Sequence, residues 1–243
     1  MKKLFLLCAI VPSLWMSSCM KTDNYDGPNA ALSGTVYDET TKEPFLTGPG
    51  EFSIRLLETS WSDNPAPQDL PVKQEGSYQN TKLFQATYTL QPYAGAFWPA
   101  AKVEDFKLGD KGTQDFNVVP YLKIKNVKWT LSADNKLSMS CTLEAPVVAG
   151  LPQVIEVRPF LSLTPYVGAG SRIDAYFKDE YRALINKNWS EIGDVNTGIG
   201  NETYHIDGLQ LKSGYTYYVR MGAKVRDTFE KFNYSAIETI KVP

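Results

Sequence analysis

The side chains able to carry chemistry are few in this sequence. His205, in "TYHIDGL", is the only histidine. Ser-His-Asp and Cys-His machinery both need an imidazole as proton carrier, so either could form only around His205. A lone histidine on a half-buried, alternating strand is more often structural. Three cysteines and one histidine, scattered along the chain, supply no zinc set. "GDVNTGIGNE" spaces Asp194, Asn196 and Glu202 loosely like a calcium loop. Gly198 stands where a further oxygen ligand belongs, so the stretch reads as a plain turn. Neither G-x-x-x-x-G-K-[ST] nor G-x-G-x-x-G occurs, so no phosphate cradle is expected. Among 27 acidic residues some pair could flank a glycosidic bond, but no spacing singles one out. No cofactor and no metal are expected.

Aromatic surface is the stronger signal. Trp61 in "SWSDNP" and Trp189 in "NKNWSE" stand among polar loop residues. Sugar rings present flat C–H faces that stack on exposed indoles, while carboxylates and amides bond their hydroxyls. Trp61 with Asp63 and Asn64 has that make-up, and so does Trp189 with Asn188 and Glu191. These six residues are the candidate ligand-binding set, the two loops forming one face. For each indole taken singly, capping its own loop is the alternative reading.

The elements that must position these groups read as nearly all β. "ALSGTVYDETTKEPF" opens the folded part. "EFSIRLLET" and "LFQATYTL" alternate apolar and polar residues, with Phe84 on an apolar position, and "VEDFKLGD" and "TQDFNVVPYLKI" add short strands. Residues 60–80 read as one long loop, stiffened by Pro65, Pro67 and Pro71. "NVKWTLSADNKLSMSCTLE" reads as a hairpin turning at Asp134-Asn135, with Trp129 inward and Cys141 a buried free thiol. "QVIEVRPFLSL" is a further strand. Phe177, Tyr181, Leu184 and Ile185 recur at helical spacing and predict a short helix. Trp98, beside Phe97 and Pro99, is expected to staple the first half. The fold class is therefore all-β, with two tandem β-sandwich domains over 30–120 and 121–243 and a short helix in the second.

The start of the chain addresses the protein. Lys2 and Lys3 precede an apolar run to Trp15 that is too short to span a bilayer, which needs about 20 residues. Residues 1–18 read as a signal peptide. "MSSC" resembles the bacterial lipobox and makes Cys19 the lipidation site; an ordinary signal peptide with an incidental cysteine is the alternative. Residues 19–29, "CMKTDNYDGPN", are polar and read as a tether. Losing Lys2 and Lys3 leaves 23 basic against 27 acidic residues, a net charge of −4. That charge argues against nucleic acid and against an anionic bilayer face, so membrane contact is expected through the lipid alone.

Family resemblance adds a context. "SGTVYDETTKEPF" resembles the opening of a carboxypeptidase-regulatory-like domain through Gly34, Val36, Asp38, Thr41 and Pro44, which implies a non-catalytic, transthyretin-like sandwich. Leu211, Ser213-Gly214 and Tyr217 resemble the tyrosine corner of fibronectin type III domains, with Ser213 in place of the usual proline. The whole order is similar to a Bacteroidetes-type surface lipoprotein family found beside SusC/SusD-like outer-membrane glycan importers. The resemblance implies an outer-membrane, outward-facing lipoprotein that binds a glycan or serves the importer, and it brings no site residues. Protein docking by a structural or adhesive subunit is the alternative, and a carboxylate-pair hydrolase is a third. On these readings Cys19→Ala should leave the chain unprocessed or release it from the membrane fraction. Cell fractionation checks this, and undiminished membrane retention of the variant would contradict lipidation.

Overall fold

The computed structural model describes residues 27–243. The signal peptide over 1–18, the lipidation site Cys19 and the tether as far as Asp26 lie outside the described residues. The first domain contains β1 (Ala30–Asp38), β2 (Ser53–Glu58), β3 (Pro67–Pro71), β4 (Ser77–Leu83), β5 (Ala86–Tyr93), β6 (Val103–Leu108), β7 (Lys111–Thr113) and β8 (Phe116–Val118). One sheet has the order β4-β1-β7, with β8 also paired to β1; the other has the order β3-β2-β5-β6. Alternation in β1 and β2 turns Leu32, Val36, Ile54 and Leu56 inward. Phe45, Phe52 and Phe97 close the core edge to face, with ring centroids 5.2 to 5.7 Å apart. Gly34 is required where β7 hands over to β8, because a Cβ there would lie 1.9 Å from the Gln114 carbonyl oxygen.

The segment 60–80 is not one loop. It holds β3 and the start of β4; residues 60–66 are irregular and 72–76 form the turn between the two strands. β3 is an edge strand, so Pro67 and Pro71 at its ends withhold no hydrogen bond that a neighbour needs. Leu70 and Tyr78 anchor the segment to the core.

The second domain contains β9 (Lys123–Leu131), β10 (Lys136–Glu144), β11 (Val154–Ser162), β12 (Ala183–Lys187), α1 (Trp189–Ile192), β13 (Ile199–Gln210), β14 (Thr216–Val225), β15 (Phe232–Tyr234) and β16 (Glu238–Lys241). Its sheets have the orders β13-β10-β9 and β12-β11-β14-β15, with β16 paired to β14. The β9–β10 hairpin turns at Asn135, whose φ of 61° suits an asparagine. The Tyr217 hydroxyl accepts a hydrogen bond from the Lys212 amide at 3.2 Å, which is the expected corner. No helix among the described residues is long and apolar enough to cross a membrane.

The helix expected from "DAYFKDEYRALINK" does not form. Asp174–Tyr176 and Asp179–Tyr181 make two single 3-10 turns, and Ala183–Lys187 is β12. Long-range contacts override the local spacing. The Glu156 carboxylate is buried on β11, within 2.9 Å of Arg158, 3.0 Å of Arg182 and 3.6 Å of Lys224. Arg158 and Arg172 lie 4.0 and 3.8 Å from the centre of the Phe177 ring. The segment is thus pinned over the outer face of the sheet, where Phe160, Val167, Phe232 and Tyr234 form a separate buried cluster.

The domains meet through buried polar groups. Arg220 is 1% exposed, lies 3.7 Å from the Tyr234 ring centre and donates to the Thr47 carbonyl at 2.6 Å. The Tyr234 hydroxyl donates to Glu51, which also accepts from the Ala169 amide at 2.7 Å. Asn233 accepts from the Leu122 amide at 3.0 Å and donates to the Ala96 carbonyl at 2.7 Å. Gly168 is required here, since a Cβ on it would come 2.7 Å from the Gly48 Cα. Trp98 packs towards the second domain, its ring 5.1 Å from that of Tyr121, and so does not staple the first sandwich.

Cys141 faces the second core and is fully buried, and burial pushes its thiol up to about 12. The reactive thiolate is therefore scarce at neutral pH. Thiol labelling of the folded protein should be slow, and Cys141→Ser should cost about 1–3 kcal/mol in denaturant unfolding by burying a hydroxyl with no partner. Rapid stoichiometric labelling without denaturant would contradict this placement.

Candidate functional site

Trp61 stands at the tip of the first domain that points away from the second. The loop carrying it is framed by hydrogen bonds on both sides. Thr59 donates to the Thr87 carbonyl at 2.9 Å, and Thr87 donates back to the Ser60 hydroxyl at 2.6 Å. The Asn64 amide donates to the Ser62 hydroxyl at 3.1 Å. Behind the loop, Arg55 and Asp69 clamp β2 to β3 through two 2.7 Å hydrogen bonds. These bonds hold the Asp69 carboxyl below its usual range and raise the Arg55 guanidinium above its own. On this frame the Trp61 side chain is 79% exposed, and Asp63 and Asn64 beside it are exposed. A loop hydrogen-bonded at both ends and offering a bare indole beside a carboxylate and an amide suits stacking on a sugar ring.

Phe84 belongs to the same tip. It follows Leu83, which pairs with Ala30, and it is 51% exposed. The alternation of "LFQATYTL" suggests an inward side chain, but Phe84 precedes β5 and lies in the turn from β4. A turn signal at Phe84-Gln85 is weak, because neither residue is a glycine, proline or asparagine.

The other half of the expected face is structural. Trp189 is 3% exposed and belongs to the core of the second domain. Its indole N–H donates to the Asp194 carbonyl at 3.3 Å, and a Cβ on Gly193 would lie 2.5 Å from the ring. Glu191 reaches back to accept from the Asn188 amide at 2.8 Å, closing the first turn of α1. Asn188, Trp189 and Glu191 are thus corrected from ligand residues to a helix start and its buried anchor. One helical turn puts the indole inward while its polar neighbours face water. Nor are the two sets brought together, because Trp61 occupies the far tip of the first domain.

The remaining candidates are placed plainly. Asp194 accepts from the amides of Asn196 at 2.7 Å and Thr197 at 3.3 Å, and these bonds lower its pKa. Gly198 has φ +70°, so the stretch is a turn. Among the described residues no three His, Cys, Asp or Glu side chains gather as metal ligands. His205 is exposed on β13, opposite Ser140, rather than half-buried.

Two tandem β-sandwiches joined by a polar interface define the class of protein. The chain belongs to the DUF3823 family: residues 30–119 match the "protein of unknown function (DUF3823) N-terminal domain", and residues 122–239 match the family's C-terminal "domain of unknown function". No curated protein matches the chain. Among solved structures, one of a "putative carbohydrate binding protein" from Bacteroides uniformis is similar, at 22% identity and a TM-score of 0.72 over 89% of this chain and 100% of that one. A DUF3823 family protein from the same species shares 21% identity, with a TM-score of 0.70 and the same coverage. A Parabacteroides merdae member shares 17% identity, with a TM-score of 0.63 over 89% and 100% of the two chains. At these identities the likeness is one of fold.

The reassignment of Trp189 has a measurable consequence. Trp189→Ala should lower unfolding free energy by about 3–5 kcal/mol, in line with loss of a large core aromatic. Urea denaturation checks it, and a loss below about 1 kcal/mol would contradict the buried anchor.

Proposed function

We propose that this protein is a non-catalytic, lipid-anchored carbohydrate-binding protein of the outer cell surface, working beside a SusC/SusD-like glycan importer. The exposed indole of Trp61, on its hydrogen-bonded loop beside Asp63 and Asn64, carries this reading. Support for the ligand class comes from the likeness in fold to the Bacteroides uniformis protein described as a "putative carbohydrate binding protein". Support for a surface role comes from chain direction. β1 begins at Ala30, at the same tip as Trp61 and Phe84. Lipidation at Cys19, eleven residues earlier, would hold that tip within roughly 40 Å of the bilayer, the reach of an extended tether. A ligand bound there would sit on the side facing a membrane importer. The lone, exposed His205 and the buried Cys141 fit a binding role better than nucleophilic catalysis.

Docking of a protein partner is favoured by a different observation. Val147 and Val195, on adjoining loops, and Ile199, at the start of β13, are 39%, 51% and 58% exposed, and the hydrogen bond from the Ala145 amide to the Gly198 carbonyl ties these segments together. A pull-down from outer membranes that loses its partner with Val195→Glu would favour docking.

Titration with a polysaccharide panel tests the main reading. Tryptophan fluorescence should change with a Kd in the micromolar to millimolar range, roughly −8 to −4 kcal/mol. Trp61→Ala should weaken binding by about 2 kcal/mol, some thirtyfold. An unchanged signal across the panel, or equal binding by the variant, would overturn it.

A further inference from the structure

A concavity lies at the opposite end of β1 from Trp61, between the two domains. It is a cleft of about 240 Å³. Its floor is apolar, built from buried Phe45 of the first domain and from Leu122 and Ile124 of the second, and Leu46 stands exposed at its edge. The rim alternates in charge. Asp38 and Glu43 face it from the first domain, Lys123 and Lys125 from the second.

Lys123 is the informative residue. Its ammonium stands 4.0 Å from Asp38 Oδ2 and 3.9 Å from Glu144 Oε1. Those distances are short enough for charge attraction and too long for direct hydrogen bonds. The Lys123 side chain is only 14% exposed, so little water can serve its three donors. Asp38 Oδ1 is already occupied by the amide and hydroxyl of Thr40, at 2.8 and 2.5 Å, whereas Oδ2 turns towards Lys123. A donor and an acceptor thus face one another across a gap that one hydroxyl group could bridge.

We propose that this cleft is a second carbohydrate subsite taking a single neutral sugar residue, with a hydroxyl bridging Lys123 Nζ and Asp38 Oδ2. The inference rests on the carbohydrate reading given above. An anionic ligand is disfavoured, because Asp38, Glu43 and Glu144 outnumber Lys123 and Lys125. A purely apolar ligand would leave the rim charges desolvated and unpaired. A polyol matches both the interleaved donors and acceptors and the apolar floor. The volume falls below the roughly 300–1,000 Å³ of pockets for drug-sized ligands, which suits one ring. The back wall is pre-formed, since Asn233 is fixed by both of its side-chain hydrogen bonds and Tyr234 by its bond to Glu51. The nine residues of β1 separate the cleft from the Trp61 tip by about 30 Å. A polymer engaging both places would gain from effective concentration, whereas a short sugar could occupy only one.

Isothermal titration of the purified full chain with glucose, galactose, mannose, xylose and their common disaccharides tests the proposal. Lys123→Met removes the ammonium and keeps the stem. Leu46→Trp fills the cleft from its exposed edge and leaves the ion network intact, so it decides the matter if Lys123→Met fails to fold. Both variants should weaken at least one of these sugars tenfold or more, while Trp61→Ala holds that sugar's affinity within twofold. Unchanged affinity in both cleft variants overturns the proposal, as does equal loss with Trp61→Ala. Polysaccharide binding that depends on Trp61 alone would sink the cleft and leave the carbohydrate reading standing. Absence of any saccharide binding would end both.

Discussion

A single buried cation governs how the two sandwiches sit together. Arg220 belongs to the second domain, yet its best acceptor is the Thr47 carbonyl of the first. Burial pushes the guanidinium down to about 10, which still leaves it charged at neutral pH. A buried charge without partners is costly, on the order of 3–5 kcal/mol when one is removed. The junction must therefore bring Thr47 and the Tyr234 ring to Arg220 together. Burial, and then the neighbouring Glu51 charge, raise the Tyr234 hydroxyl well above its usual pKa, so it stays a neutral donor to Glu51. Glu51 then accepts from Ala169; a Cβ on Gly168 would run into Gly48, and a Cβ on Gly48 would run into the Glu51 carboxylate. Buried polar contacts of this kind accept few geometries, whereas an apolar interface could slide.

The consequence reaches the surface. Asn233, Tyr234 and Ser235 form one wall of the interdomain cleft, and the same Tyr234 is the residue stacked on Arg220. The cleft is thus shaped by the network that sets the domain angle. The Trp61 tip is independent of that network. It is stiffened locally, by the Arg55–Asp69 clamp and the exchange of hydrogen bonds between Ser60 and Thr87. One face depends on long-range order, and the other would survive loosening of the junction.

Legibility in the sequence follows the range of the interactions. Strand alternation, the Asn135 turn, the Tyr217 corner and the inward Cys141 all depend on neighbours a few residues away or on one core face, and each is where the pattern predicts. Gly34 was readable as a motif position, but its reason, the close Gln114 carbonyl, lies eighty residues on. The expected helix failed because Glu156 and Arg158, from outside that segment, capture its Arg182 and Phe177. The supposed loop over 60–80 failed because prolines, which break interior strands, are harmless at the ends of an edge strand. The cleft could not be nominated as a site from sequence: Asp38, Thr41 and Pro44 stand out only as motif positions, and its remaining residues come from both domains with ordinary local settings.

Trp61 and Trp189 make the limit sharpest. Both indoles have a polar residue on each side, and both were assigned to one face for that reason. Composition cannot separate them, because what differs lies beneath the ring. Under Trp189 is Gly193, whose missing side chain opens a slot in the core, and the indole N–H finds the Asp194 carbonyl. At Trp61 the loop's flanking amides, Thr59 and Asn64, bond to Thr87 and Ser62, and the ring stays 79% exposed. A buried tryptophan needs room for its ring and a partner for its N–H. Where the chain supplies both within five residues, as at 189–194, the indole becomes structure. Where it supplies neither, the indole remains available to a ligand.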